Sequence, residues 1–246
     1  MLRLLPLFSR PLTAAALLAF VALTSACAGS GVSSERQVLP DFDAKELSKR
    51  RLLLAPYATR AVDAEASVPL EREEMQLLAL ETKEQDPELG SLKAFYAAGA
   101  LSGQRALEKA GTGLLLQHVE AARWSEYFAQ PETFLSVTVD GKARYEVPPR
   151  DLLQRLGTDA EYVLVLGELK YQASITRTKM GETTTTRREA ECDGRFLVWD
   201  YARSRALAEG SVESVVGFGK RVTASEFKEL GELLVSEILA KRPFKG

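Results

Sequence analysis

Two cysteines and a single histidine are the only thiols and imidazole in the chain, and their neighbours decide what chemistry each can do. Cys27 closes the run Thr24-Ser25-Ala26-Cys27, with small residues just before it and no charged residue from Pro11 to Ala26. That pattern makes it the acceptor of a lipid anchor, the residue that becomes the mature N-terminus once a signal segment is removed. Cys192 sits in an alternating stretch in which Ala190, Cys192, Gly194, Phe196 and Val198 interleave with Glu189, Glu191, Asp193 and Arg195. Strand spacing puts its thiol on the apolar face, as a small buried hydrophobe. His118 stands alone, which excludes a multi-histidine metal site; no Gly-x-Ser-x-Gly elbow and no nearby Cys-Asn set accompanies it. Gly217-Phe218-Gly219-Lys220 lacks the spacing of a phosphate loop, because Ser214 stands five before Gly219 and Arg221 follows the lysine. Paired carboxylates such as Glu73 and Glu74 fall in charged sequence and read as a solvated face. The expectation is a protein that is not an enzyme, with no catalytic residue, no metal and no cofactor.

The segment before Cys27 is an address. Arg3 and Arg10 supply its basic start, and the charge-free run that follows is shorter than the ~20 apolar residues a spanning helix needs. It resembles a lipobox, with Leu23 four positions before the cysteine and Thr24 where leucine usually stands. Two alternatives are cleavage by ordinary signal peptidase, leaving a soluble periplasmic protein, and an uncleaved anchor. If Cys27 carries several acyl chains, each buried CH₂ contributes ~0.8 kcal/mol, and more than one chain makes the attachment stable. Resemblance to Gram-negative lipoproteins, in which aspartate after the cysteine favours inner-membrane retention, implies passage to the outer membrane here, because Ala28 follows.

Removing residues 1–26 takes away two of the 32 basic residues and none of the 34 acidic ones, leaving a formal charge of −4. A weakly acidic protein has no general electrostatic reason to bind nucleic acid. With Cys27 consumed by lipidation, Cys192 has no partner for an intramolecular disulfide. The organisation read from composition is a signal peptide over 1–26, a lipidated cysteine and flexible tether over 27–40, and one periplasmic domain over 41–246. Gly29, Ser30, Gly31, Ser33 and Ser34 give the tether its character.

Within the body, Leu52-Leu53-Leu54-Ala55 reads as a buried strand ended by Pro56. Residues 60–88 carry Glu71, Glu73, Glu74, Glu81, Glu84 and Glu88 around one apolar island at Leu77-Leu78-Ala79-Leu80. Ser91 can cap a helix running to Ala110, stopped by Gly111. A second helix is predicted over 114–129, with Ala121, Trp124 and Phe128 as its stripe. Residues 134–147 read as a hairpin around Asp140-Gly141, and 151–156 as a short helix closed by Gly157. The clearest elements are three strands over 161–178, 183–200 and 206–216, an antiparallel meander turned at Met180-Gly181-Glu182 and again after Trp199. A final helix starts at Thr223, whose spacing to Glu226 is that of a capping box, and carries Phe227, Leu230, Leu234 and Ile238 on one face. The fold class is therefore α/β, a single domain with a mixed sheet whose C-terminal three-stranded antiparallel meander is packed by helices.

Two places could meet a partner. Gly99 and Gly103, four apart on the 91–110 helix, form a groove that lets another backbone approach closely. Thr183 to Thr186 with Arg187 and Arg188 make a polar hairpin tip with exposed donors and charge, although β-branched polar residues also simply suit an exposed strand. A strand pair that crosses a membrane should alternate apolar and polar for ~10 residues. Arg177, Lys179, Glu182, Arg187, Arg188, Glu189 and Glu191 crowd this hairpin instead.

The order of these elements, with Leu156-Gly157-Thr158-Asp159-Ala160-Glu161-Tyr162-Val163-Leu164-Val165-Leu166-Gly167 leading into the long hairpin and Val198-Trp199-Asp200 ending its return strand, resembles the anticodon-binding-like α/β fold. Envelope lipoproteins with that fold include penicillin-binding-protein activators and the curli secretion lipoprotein. The exposed hairpin and the helix groove give Arg187, Arg188, Gly99 and Gly103 as the expected contact residues. The resemblance carries over no functional residue except the lipidated Cys27, and implies an outer-membrane lipoprotein facing the periplasm, a non-enzymatic adaptor or activator of another envelope protein. Its alternative implication is a homo-oligomeric subunit of an outer-membrane export apparatus.

Overall fold

The computed structural model describes residues 30–38, 44–55, 62–66, 87–120, 123–124, 134–139, 143–219, 223–241 and 243–244. Cys27, the signal segment, the apolar island at 77–80 and the turn at 140–142 lie outside the described residues. Among the described residues the elements, in chain order, are β1 (Gly31–Val38), β2 (Arg51–Ala55), β3 (Val62–Ala66), α1 (Pro87–Ala110), β4 (Leu115–His118), β5 (Leu135–Val139), β6 (Ala143–Val147), α2 (Arg150–Arg155), β7 (Tyr162–Met180), β8 (Thr183–Asp200), β9 (Arg205–Gly217) and α3 (Ala224–Leu239).

The main sheet runs β1-β9-β8-β7-β2-β4, and β3 pairs with the part of β7 beyond β2. β7, β8 and β9 form the expected antiparallel meander, while β2, β3 and β4 join it in parallel. The short β5–β6 pair is antiparallel, as its hairpin pattern requires. Because side chains alternate across a strand, Leu52, Leu54, Leu164 and Val198 point to one face and Leu53, Ala55, Val163, Val165 and Leu197 to the other. The first face is roofed by α1 and α3 through Phe95, Tyr96, Leu107, Leu230, Leu234 and Ile238. The second packs on Tyr145, Val147, Leu152, Leu153 and Trp124. Both faces of the lower meander are thus covered, which explains why its strands read as continuous apolar runs.

Three expectations change. Residues 31–38, assigned by composition to the tether, form β1 and pair along their whole length with β9, from Gly31↔Val215 to Val38↔Ala208. A row of unpaired N–H and C=O groups on β9 supplies the driving force that Gly- and Ser-rich composition does not show. The folded body therefore begins by Gly31 rather than at Asp41. Second, Leu115–His118 is a strand, not part of a helix over 114–129: Gly111 and Gly113 both adopt positive φ, 66° and 68°, ending α1 and redirecting the chain. The Leu115 N–H then donates to the Arg50 carbonyl at 2.9 Å and the Lys49 N–H to that of Gly113 at 3.0 Å, zipping β4 onto β2. A short apolar run fits either element by pattern alone, and here the tertiary edge decided it. Third, α1 begins at Pro87, four residues before Ser91, with proline in the first-turn position that needs no N–H.

The other caps follow the sequence closely. The Thr223 backbone N–H donates to the Glu226 carboxylate at 2.8 Å, and the Ser225 N–H to the Thr223 hydroxyl at 3.2 Å, completing the capping box of α3. Gly157 closes α2 with a φ of 75°.

Candidate functional site

Gly99 and Gly103 do form a groove, and α3 of the same chain fills it. A Cβ at Gly99 would lie 2.7 Å from Val235 Cγ2, and one at Gly103 would lie 2.8 Å from Leu239 Cδ1 and 2.9 Å from Val235 Cγ1. On the opposing helix Gly231 is tighter still, its Cβ position being 2.5 Å from the Phe95 carbonyl oxygen. The Ser102 hydroxyl donates to the Glu232 carbonyl at 2.9 Å across the same contact. The small residues thus bring two parallel helices together over the sheet, and this face is closed to a partner.

Arg187 and Arg188 lie on a feature the pairing register makes plain. β9 stays with β8 only as far as Glu189↔Gly217, and β3 stays with β7 only as far as Ala66↔Ala173. Beyond those rungs β7 and β8 continue as a two-stranded arm, from Ile175↔Arg188 out to Met180↔Thr183, closed by Gly181 at φ 63°. No other described strand flanks it. Ile175 is 41% exposed and Met180 68%. Since Tyr171, Ala173, Ala190 and Cys192 belong to the helix-side core, alternation places Ile175, Arg177, Lys179 and Arg188 on that same side, with Thr184 and Thr186 opposite Lys179 and Arg177. Among the described residues Arg177, Lys179 and Arg188 form no ion pair. The opposite side carries Thr176, Thr178, Met180, Thr183, Thr185 and Arg187, the last paired with Glu189. The two arginines expected to act together therefore face opposite ways.

A second polar surface continues from the arm's threonine side onto the sheet. There Glu191 and Asp193 of β8 meet Glu213 of β9, with one oxygen from each within 4.8 Å of the others. The Ser33 hydroxyl donates to Glu213 at 3.4 Å. Burial, reinforced by neighbouring carboxylates, raises the Glu191 and Asp193 pKa values; hydrogen bonding from Gln172 and the nearby Lys170, respectively, oppose it. Three oxygen donors of this kind are hard ligands of the sort divalent cations take. The alternation at 189–195 marks a polar face, but only the Asp193↔Glu213 rung adds the third carboxylate.

Cys192 is 3% exposed, and burial first, then Asp193 and Glu191, pushes its thiol up to about 12. It stays protonated and packs as a small hydrophobe. His118 is exposed at the end of β4, beside Gln117, whose side-chain oxygen accepts the Thr158 hydroxyl at 2.6 Å. Phe218, within the glycine-rich exit of β9, is buried and its N–H donates to the Arg188 carbonyl at 3.2 Å. No described helix is long and apolar enough to cross a membrane.

No protein-family model matches the chain, and no curated protein matches it. Among solved structures, the PelC dodecamer from Paraburkholderia phytofirmans is 10% identical with a TM-score of 0.33, over 88% of this chain and 99% of that one. Lipoprotein GNA1162 from Neisseria meningitidis is 14% identical with a TM-score of 0.27, over 78% of this chain and 99% of that one. These are likenesses of fold.

Proposed function

We propose that the chain is an envelope lipoprotein, held in the outer membrane through Cys27 and facing the periplasm, that binds another envelope protein as a non-enzymatic adaptor or activator. The supporting observation is the β7–β8 arm, which extends past the strands that would stabilise it and carries exposed hydroxyls and Arg187 on one side. Fourteen residues from 175 to 188 lie outside both cores, so the arm is surface that a partner can reach from either side. The threonine side suits a protein surface, because hydroxyls donate and accept without a desolvated charge.

Photo-crosslinking in intact cells tests this. A crosslinker at Thr178 or Thr185 is expected to give a discrete adduct that Arg187→Glu weakens several-fold, while one at Ala202, in the turn at the opposite end, gives none. Adducts that are the same at all three sites, or indifferent to charge reversal, would remove the arm from this role. The second reading is a subunit of an oligomeric export apparatus. It draws on the open edge of β4, where Leu115 is 54% exposed and no further described strand pairs. Light scattering of the detergent-extracted protein separates the two, a ring-sized particle favouring the second.

A further inference from the structure

We infer that the helix-side face of the arm, with Arg177, Lys179 and Arg188, lies on the anionic headgroup surface of the membrane that holds Cys27. The inference rests on the anchoring proposed above, and it comes from register and chain length. Gly31 pairs with Val215, Val215 with Glu191, and Glu191 with Gln172, so the start of β1 is level with the base of the arm. β1 runs antiparallel to β9, and its N-terminal end points the way the arm points. Four peptide units separate Cys27 from Gly31, and at ~3.5 Å each they span at most about 14 Å. From Gln172 to Met180 the arm runs eight residues, or about 26 Å at ~3.3 Å each.

The arm therefore reaches farther in the direction of the anchor than the anchor can stand away from the body. An upright arm would carry Arg177 and Lys179, five and seven residues beyond Gln172, past that limit toward hydrocarbon, where charge is costly and no described carboxylate follows except Glu182 at the tip. Laying the arm along the interface removes that conflict. Charge then chooses the side: the helix-side face offers three cations with no described counter-ion, and the other face offers threonines with Arg187 already paired to Glu189. Cations next to a lipid anchor gain from an anionic leaflet and lose that gain in salt. Ile175, exposed on the same side, would sit at the headgroup boundary. The threonine side is left outward for a protein partner.

The test uses the full lipidated protein in vesicles of phosphatidylcholine, alone or with about one-third phosphatidylglycerol. An environment-sensitive fluorophore is placed on Ile175→Cys, on the helix side, in one sample and on Ala202→Cys in another, Cys192 being buried. Intact mass reports acylation of Cys27. The expected result is a blue shift and at least a twofold rise in intensity at position 175 in the anionic vesicles. Added salt should reverse it, the triple variant R177E/K179E/R188E should lack it, and position 202 should not change. That variant should remain vesicle-bound and melt as the parent does, because none of the three residues lies in either core. An acylated, vesicle-bound protein whose probe at 175 reports water overturns the placement of the arm alone. A shift equal in both vesicle types overturns the role of the cations. A shift already present in detergent that grows with protein concentration assigns the face to a second copy and overturns the membrane contact. A missing acyl mass overturns the anchoring reading and this placement together.

Discussion

The two ends of the β7–β8 ladder are built from the same two strands and do opposite things. At the lower end Tyr162 to Leu166 and Phe196 to Val198 are buried between the helices on one side and the β5–β6 and α2 layer on the other. At the upper end residues 176–187 are exposed on both sides. Hydrogen-bonded pairing is continuous from Lys170↔Asp193 to Met180↔Thr183, so the ladder alone does not distinguish core from arm. What differs is what lies above and below it. A strand is a neutral scaffold, and the layers packed on it decide whether a given rung contributes stability or surface.

The sharpest way to break that comparison is to make the same kind of cut at both ends of β8. Phe196→Ala, at a residue with no exposure, is expected to lose about 3–5 kcal/mol, whereas Thr185→Ala in the arm should stay within about 0.5 kcal/mol of the parent. Urea denaturation of both variants measures the difference, and similar losses would mean that the arm is part of the cooperative core. Next in size is Gly231→Ala, where the new methyl meets the Phe95 carbonyl oxygen at 2.5 Å as well as the Phe95 ring at 2.9 Å. Overpacking of that kind should cost about 1–3 kcal/mol, read as a lower thermal midpoint, and a neutral result would mean the α1–α3 contact is looser than its geometry.

The smallest effect concerns pH. Glu191 and Asp193 have raised pKa values in the folded chain, through burial first and then neighbouring carboxylates, Glu213 beside both and Asp193 beside Glu191. The folded state thus binds protons there more tightly than the unfolded one. Their ionisation opposes folding, so stability held below the ordinary carboxylate range is lost as pH rises through the raised values. Asp193→Asn should therefore gain roughly 0.5 kcal/mol near neutral pH and nothing in acid, a difference visible in melting curves taken across pH. Glu161, at the lower end, has the opposite sign. Burial favours its neutral form, but the Arg51 N–H at 2.7 Å and the guanidinium groups of Arg50 and Arg51 outweigh it and lower its pKa. Its contribution is present at neutral pH and fades as acid protonates it.

Much of this molecule was readable one strand or helix at a time. The meander, the capping box at Thr223, the Gly111 and Gly157 stops and the inward Cys192 all rest on local physics: periodicity, backbone conformation and caps act within a few residues. The errors were of another kind. Residues 31–38 look like tether until β9 offers an edge, and 115–118 look helical until β2 does, because pairing partners far along the chain supply the missing free energy. The Gly99/Gly103 groove was visible, but not that α3 would fill it. Arg187 and Arg188 were visible as charge, but only the strand register places them on opposite faces and sets the arm beside the start of β1. The sequence by itself determined the elements whose signals are local: the meander, the capped α3 and the glycine stops of α1 and α2. The tertiary structure alone decided which faces are left open, because that depends on what packs against each strand and not on the strand's own residues.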